Sequence, residues 1–342
     1  MAKVVTFGEI MLRLSPPGFE RLLQSPVLQA TFGGGEANVA VSLAQFGLES
    51  WYVTRLPANG IGDAVIRALR AEGVRTEAIL RGGDRLGVYF TETGASQRAS
   101  TVIYDRAHSA ISQLQPGQVD WTRVFAGAQW FHVTGITPAL GEPLAVCTRE
   151  AIAAARAAGL RVSVDLNFRK KLWSESQAQA VMRPLVKDVD LLIANEEDLQ
   201  SCLGVRVAGT DVTGGQLDLA SYREAAQMVS AEFGIRMVAI TLRESYSASD
   251  NGWSAVLWDQ SWKVFHHSQR FDVRLVDRIG GGDSFAAGLI YGLVTDRSTE
   301  AALRFGVAAN ALKQTIPGDF NRVTVEEVDR LVGGDGSGRV QR

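Results

Sequence analysis

The sequence predicts an α/β protein: a doubly wound, mostly parallel sheet flanked by helices, with a small antiparallel β-lid. Three observations predict this. Short apolar runs of strand length alternate with longer helical stretches over most of the chain. Glycines stand where four of those helices would end. Two regions interrupt the alternation with strand-like pieces that have no helix between them.

Taken in order, the strand candidates are Val4-Val5-Thr6-Phe7, Trp130-Phe131-His132-Val133, Arg161-Val162-Ser163-Val164, Leu191-Leu192-Ile193 and Val238-Ala239-Ile240-Thr241. Such short apolar runs are what strands buried on both faces of a parallel sheet require. The helix candidates between them are 36–46, 63–72, 143–158, 174–186 and 221–233, with Gly47, Gly73, Gly159 and Gly234 at their ends. Residues 12–31 contain a Pro-Pro-Gly turn, Pro16 to Gly18, between strand-like pieces. Residues 86–104 read as a hairpin: one strand over 87–92, a turn near Gly94, and a second strand over 100–104. These two regions, about 12–32 and 86–106, form the expected lid on a single domain spanning 1–332. A Gly/Thr-rich surface loop is expected over 204–215, and a polar, disordered tail over 333–342.

Composition narrows the function. The chain has 342 residues, 46% of them hydrophobic, enough for a sizeable core, and a formal net charge of −2. No block of like charge suggests a nucleic-acid or membrane-surface partner, and Arg169-Lys170-Lys171 is too short to argue for one. No segment approaches the ~20 continuous apolar residues of a membrane span, and the N-terminus lacks the apolar run of a signal peptide. Cys147 and Cys202 are isolated, which suits reduced thiols and a cytoplasmic setting. His108, His132, His266 and His267 show no metal-ligand spacing and read as structural.

Four motifs can carry chemistry. In Asp277-Arg278-Ile279-Gly280-Gly281-Gly282-Asp283, successive glycines free the backbone N–H groups at a helix N-terminus to hold phosphate or a developing phosphoryl charge. Asp283 would accept the proton of an attacking hydroxyl there; it could also be a plain helix cap. Phe32-Gly33-Gly34-Gly35-Glu36-Ala37-Asn38 opens another helix and offers amides to a polyhydroxylated ligand, or is simply a strand-to-helix turn. It is not a dinucleotide fingerprint, so an NAD-dependent oxidoreductase is not supported. Asn195-Glu196-Glu197-Asp198 puts acids at the end of a strand, where they hold Mg²⁺ through water or favour the helix dipole. Tyr104 and Arg106, two apart, share one face of a strand, and with Tyr89 and Arg169 are candidate ligand contacts.

The two glycine loops, in this order, resemble those of the ribokinase-like, PfkB-type carbohydrate kinases, and the likeness runs from Gly8-Glu9 to about Pro317-Gly318. The resemblance implies the sheet-plus-lid architecture, ATP and Mg²⁺ as cofactors, and a monovalent cation, K⁺ being the candidate. It implies Asp283 as base and Gly280, Gly281 and Gly282 as anion hole. Asn195, Thr241 and Asn310 would contact the nucleotide, Asp198 would hold Mg²⁺ through water, and Asp277 and Ile279 would line the monovalent-cation loop. Three residues depart from the family pattern: Asp198 stands for Glu, Arg243 for a Gly, and Arg278 for Thr. Within the family the chain is most similar to 2-keto-3-deoxygluconate kinases, in which Gly34, Asn38, Tyr89, Tyr104, Arg106 and Arg169 would meet the substrate together with Asp283. Arg13 stands where many neutral-sugar kinases place an Asp, which suits an acid substrate. The implied reaction is phosphorylation of a primary hydroxyl of a sugar acid. A fructokinase or other neutral-sugar kinase is the alternative within the fold. A non-catalytic sugar- or nucleotide-binding regulator is the alternative outside it. A homodimer formed lid to lid is expected, because a small sheet standing off a domain has exposed edges.

Overall fold

The computed structural model describes residues 1–207, 218–336 and 338. The loop expected over 204–215 lies mostly, and the tail expected over 333–342 partly, outside the described residues.

A large sheet forms the centre of the molecule. From edge to edge it runs Val264–His267, Asp250–Asp259, Met237–Ser245, Leu191–Ala194, Arg161–Asp165, Ala128–Thr134, Lys3–Phe7 and Glu49–Val53, and Phe271–Arg274 also pairs with Asp250–Asp259. Strands from Glu49–Val53 through Met237–Ser245 pair in parallel; those beyond pair antiparallel. The pleat divides the core in two. Val4, Trp130, Leu191, Ile193 and Met237 join one buried cluster, while their neighbours Val5, Phe131, Leu192, Ala194 and Val238 join the cluster on the opposite face.

The expected helices form at Gly35–Gln45, Gly60–Ala71, Glu142–Ala157, Glu175–Leu185 and Leu219–Phe233. Gly47, Gly73, Gly159 and Gly234 follow helix ends with positive φ, as the sequence indicates. Helix Glu175–Leu185 starts at a capping box in which Ser174 and Gln177 bond each other's backbone N–H.

The lid has the order Gln29–Gly33, Met11–Ser15, Gly87–Glu92, Thr101–Asp105. Its outer pairs are antiparallel, but Met11–Ser15 and Gly87–Glu92 are parallel, which corrects the expectation of a wholly antiparallel sheet. A parallel pair needs a long crossover. Helices Gly35–Gln45 and Gly60–Ala71, which lie between these two strands in the chain, supply it.

Lys3–Phe7 has Glu49–Val53 on one side and Ala128–Thr134 on the other, so the chain winds away from it in both directions. In such sheets a ligand crevice opens beyond the carboxyl ends of the strands at this switch point. The lid stands at the same end, because Met11–Ser15 follows Lys3–Phe7 after only three residues.

Candidate active site

A cavity of about 360 Å³ lies in that crevice. It is lined by residues at or beyond the ends of successive strands, Glu9, Ile136, Asp165, Asn167, Arg169, Asn195 and Asp198, and by Thr241 and Arg243 within Met237–Ser245. Tyr89, Tyr104 and Arg106 close it from the lid, and Gly280, Gly282 and Asp283 form its floor.

The two glycine loops meet at one hydrogen bond. Asn38 Nδ2 donates to Asp283 Oδ2 at 2.7 Å, and Asn38 Oδ1 accepts from the Gly34 N–H at 3.3 Å. The second contact fixes which end of the Asn38 amide faces Asp283. The first loop is held in turn by buried Glu36, whose Oε1 accepts from the Thr134 N–H and from the hydroxyls of Thr134 and Thr137 at 2.7–2.9 Å. Gly34 has to be glycine, since a Cβ there would lie 2.0 Å from the Glu9 carbonyl oxygen.

Gly280 caps the helix Gly281–Val294 in the left-handed region, with φ 83°, and a Cβ on it would meet the Asp319 carbonyl at 2.2 Å. The first-turn N–H groups of that helix have no partners within it and carry the positive end of its dipole. Asp283 sits in that first turn. Its pKa is pushed up to about 6, by burial first and by the charge of Asp319, against the Asn38 hydrogen bond, Arg169 and Lys313. A carboxylate in this state is a stronger base than an exposed one.

Other acids face the same space. Burial pushes Asp198 up to about 6 and Asp165 well above the ordinary carboxylate range, and the charges of Asp198 and Asp283 add to the rise at Asp165. A hard cation carried among them would relieve that repulsion, and oxygen donors suit Mg²⁺. Asp198 also has a structural task. Its oxygens accept from the N–H groups of Phe168 at 2.8 Å and Asn195 at 3.2 Å, and Asn195 returns the contact. Among the described residues, no group of three or more His, Cys, Asp or Glu could hold a metal ion by itself.

The basic residues divide by their partners. Arg106 is ion-paired with buried Glu9, which also accepts from the Ser109 hydroxyl at 2.5 Å. Its charge is therefore already matched. Among the described residues the Arg169 guanidinium bonds only its neighbour's carbonyl, Phe168 O, at 3.0 Å, and no carboxylate lies within ion-pair distance of it. Arg243 and Arg278 share the cavity, and burial and then the charge of Arg243 lower the Arg278 pKa. Two cations that repel each other in one crevice suit an anionic ligand.

Most of the expected site residues line this cavity: Gly34, Asn38, Tyr89, Tyr104, Arg106, Arg169, Asn195, Asp198, Thr241, Ile279, Gly280, Gly282 and Asp283. Gly281 is buried beneath them. Two expectations are corrected. Asn310 is buried and does not reach the cavity, and its Oδ1 accepts from Gln314. Asp277 offers no free carboxylate to a cation, because Oδ2 is 2.7 Å from Arg13 and accepts the Gly318 N–H at 3.0 Å. Arg13 does not face the cavity either. It bridges Asp277 and Asp319, both at 2.7 Å, and Asp319 accepts the Tyr89 hydroxyl at 2.5 Å. None of the four histidines lines the cavity.

Sequence reasoning passed over Glu9, Asp165, Asn167 and Asp319 in the lining. Glu9, Asp165 and Asn167 could have been found, since each ends or closely follows a parallel strand. Asn167 holds φ 40°, and its buried Oδ1 has no hydrogen-bond partner, so it is an acceptor suited to a ligand hydroxyl.

Comparison with known proteins gives the family and the fold. The family model described as pfkB family carbohydrate kinase matches residues 1–321. A 2-dehydro-3-deoxygalactonokinase from Haloferax volcanii is 34% identical over 339 residues, covering 98% of each chain. The crystal structure of a 2-dehydro-3-deoxygluconokinase from Thermotoga maritima is 47% identical, covers 98% of this chain and 100% of its own, and superposes with a TM-score of 0.94. A structure from E. coli described as a ribokinase II in complex with ATP and Mg²⁺ shares the fold, with a TM-score of 0.76 at 18% identity, covering 97% of this chain and 99% of its own.

Proposed function

This chain belongs to the pfkB family of carbohydrate kinases, and we propose that it transfers the ATP γ-phosphoryl group to a primary hydroxyl of a 2-keto-3-deoxy sugar acid, with 2-keto-3-deoxygluconate the first candidate. One observation carries the reading. Asp283, the glycine anion hole and Arg169, a guanidinium with no carboxylate partner among the described residues, face one cavity.

In this reading Asp283 accepts the proton of the sugar hydroxyl while Asn38 holds its carboxylate in place. The first-turn N–H groups at Gly280–Gly282 stabilise charge on the transferring group, where kinases gain most of their rate. Arg169 takes the sugar carboxylate, Tyr89, Tyr104 and Asn167 meet hydroxyls, and Arg243 and Arg278 take phosphate oxygens. Mg²⁺ bound with the nucleotide would be held near Asp165, Asp198 and Asn195 and would neutralise phosphate charge. The lid closes the site against water, so that ATP is not hydrolysed. The ATP and Mg²⁺ of the E. coli relative, and the sugar acids in the names of the two closer relatives, support these choices. A demand for ATP also suits a cytoplasmic enzyme. ADP release measured across sugar acids and neutral sugars tests the reading; a rate that is highest with fructose or ribose would replace it with neutral-sugar phosphorylation.

The pH profile gives a second test. The carboxylate is the active form, so kcat/KM is present above the Asp283 pKa and falls as pH drops through about 6. The Asn38 hydrogen bond favours the ionised form. Asn38→Ala should therefore raise the Asp283 pKa and move the acid limb toward neutrality. An unmoved limb would mean that another group titrates.

Lid-to-lid dimerisation is part of the same proposal. The lid has edge strands at Gln29–Gly33 and Thr101–Asp105, and Leu23, Val27 and Ile103 are exposed on it. Sedimentation at micromolar concentration should give a dimer, and a monomer would remove this part.

A further inference from the structure

Lys313 ends the helix Thr299–Lys313, where a lysine usually reaches into solvent. Here it is fully buried. Its ammonium donates to three backbone carbonyls: Asp277 O at 3.3 Å, Gly318 O at 2.6 Å, and Ile279 O. An ammonium has three N–H donors, so all are used. The carboxylates of Asp277 and Asp319 lie close enough to oppose the loss of its charge on burial.

Two of the carbonyls, those of Asp277 and Ile279, belong to the segment that leads into the anion hole. Ile279 directly precedes Gly280, and a Cβ on Gly280 would sit 3.2 Å from Lys313 Cε. Converging backbone carbonyls are what a dehydrated monovalent cation binds. The loop expected to hold such an ion does converge, but on a covalently attached cation. The residues therefore do not fit K⁺.

We propose that Lys313 is a built-in cation, fixing the Asp277–Ile279 segment and the Gly318 turn beside the anion hole so that turnover needs no dissociable monovalent ion. The inference rests on the kinase reading of the cavity. It makes Lys313 a positioning residue, which touches neither sugar nor nucleotide.

The test varies cations at constant ionic strength with Mg²⁺ present. Wild-type kcat and thermal midpoint should agree within about twofold and ~1 °C between potassium chloride and tetramethylammonium chloride. Lys313→Ala should lose about 10–100-fold in kcat in tetramethylammonium and regain part of it, saturably, with K⁺ or NH₄⁺. Its midpoint should rise with the same ions, a readout independent of turnover. Lys313→Met, which fills the space without charge, should lose activity and not be rescued. Stimulation of the wild type by K⁺ of about fivefold or more would overturn the proposal. So would a Lys313→Ala variant with normal turnover in tetramethylammonium. If Lys313→Ala does not fold, the wild-type comparison decides. If no sugar releases ADP under any salt, the kinase reading has failed, and the cation dependence of the two midpoints still decides this one.

Discussion

Asp283→Asn should lower kcat by about 10²–10⁴-fold while leaving sugar binding nearly unchanged. The geometry says why so conservative a change should cost so much. Asn38 Nδ2 donates to Asp283 Oδ2, and Asn38 is held in that orientation by the Gly34 N–H. An Asn at 283 would turn its carbonyl toward that donor and its NH₂ toward the substrate. The attacking hydroxyl would then face a donor where it needs an acceptor. The size of the group, its burial and its contact with Asn38 all survive, so the loss falls on the proton transfer. At about 1.4 kcal/mol per decade, the expected drop corresponds to roughly 3–5 kcal/mol of transition-state stabilisation. Steady-state ADP release gives kcat, and titration calorimetry gives sugar affinity. Near-normal turnover would leave Asp283 as an acid in the first turn of a helix and no more. A parallel loss of sugar affinity would point to a disturbed pocket rather than a lost base.

The parallel half of the sheet was legible because its strands are short, apolar and buried on both faces, and because glycines end the helices between them. The antiparallel edge was not. Asp250–Asp259 begins with Asp-Asn-Gly, which reads as a turn, yet Asn251 and Gly252 lie in the strand, paired with Ser245 and Glu244 on one side. Tertiary pairing overrode local propensity there. The site divides in the same way. Asp283 and Asn38 announce themselves through the glycines beside them. Lys313 and Asp319 carry no local signal, because their importance comes from burial and from partners distant in the chain. Arg13 was visible as a departure from the pattern, but its role was not. Only the fold shows that it spans Asp277 and Asp319 instead of meeting a ligand.

The other large effect concerns the choice of substrate. The wild type should prefer 2-keto-3-deoxygluconate to fructose by about ten- to several-hundred-fold in kcat/KM, since the Arg169 guanidinium is exposed in the open cavity and a neutral sugar closing over it would take its water without supplying an anion, at roughly 1–3 kcal/mol. Under the proposed function that preference falls unequally on the two arginines. Arg106 already answers Glu9, whereas among the described residues no carboxylate stands within ion-pair reach of Arg169. Arg169→Ala should therefore cut turnover of the acid severely and leave the weak activity on fructose nearly as it was. Arg106→Ala should depress both substrates alike, because it strands the buried Glu9 carboxylate in the cavity wall. The comparison belongs at about pH 8: Arg169 also helps hold down the Asp283 pKa, and its loss would otherwise add a protonation effect common to both sugars. Fructose as the better substrate of the wild type would sink the sugar-acid reading. Equal losses on both sugars in Arg169→Ala would sink the assignment of the carboxylate to this residue and place its charge in the service of the nucleotide or the fold.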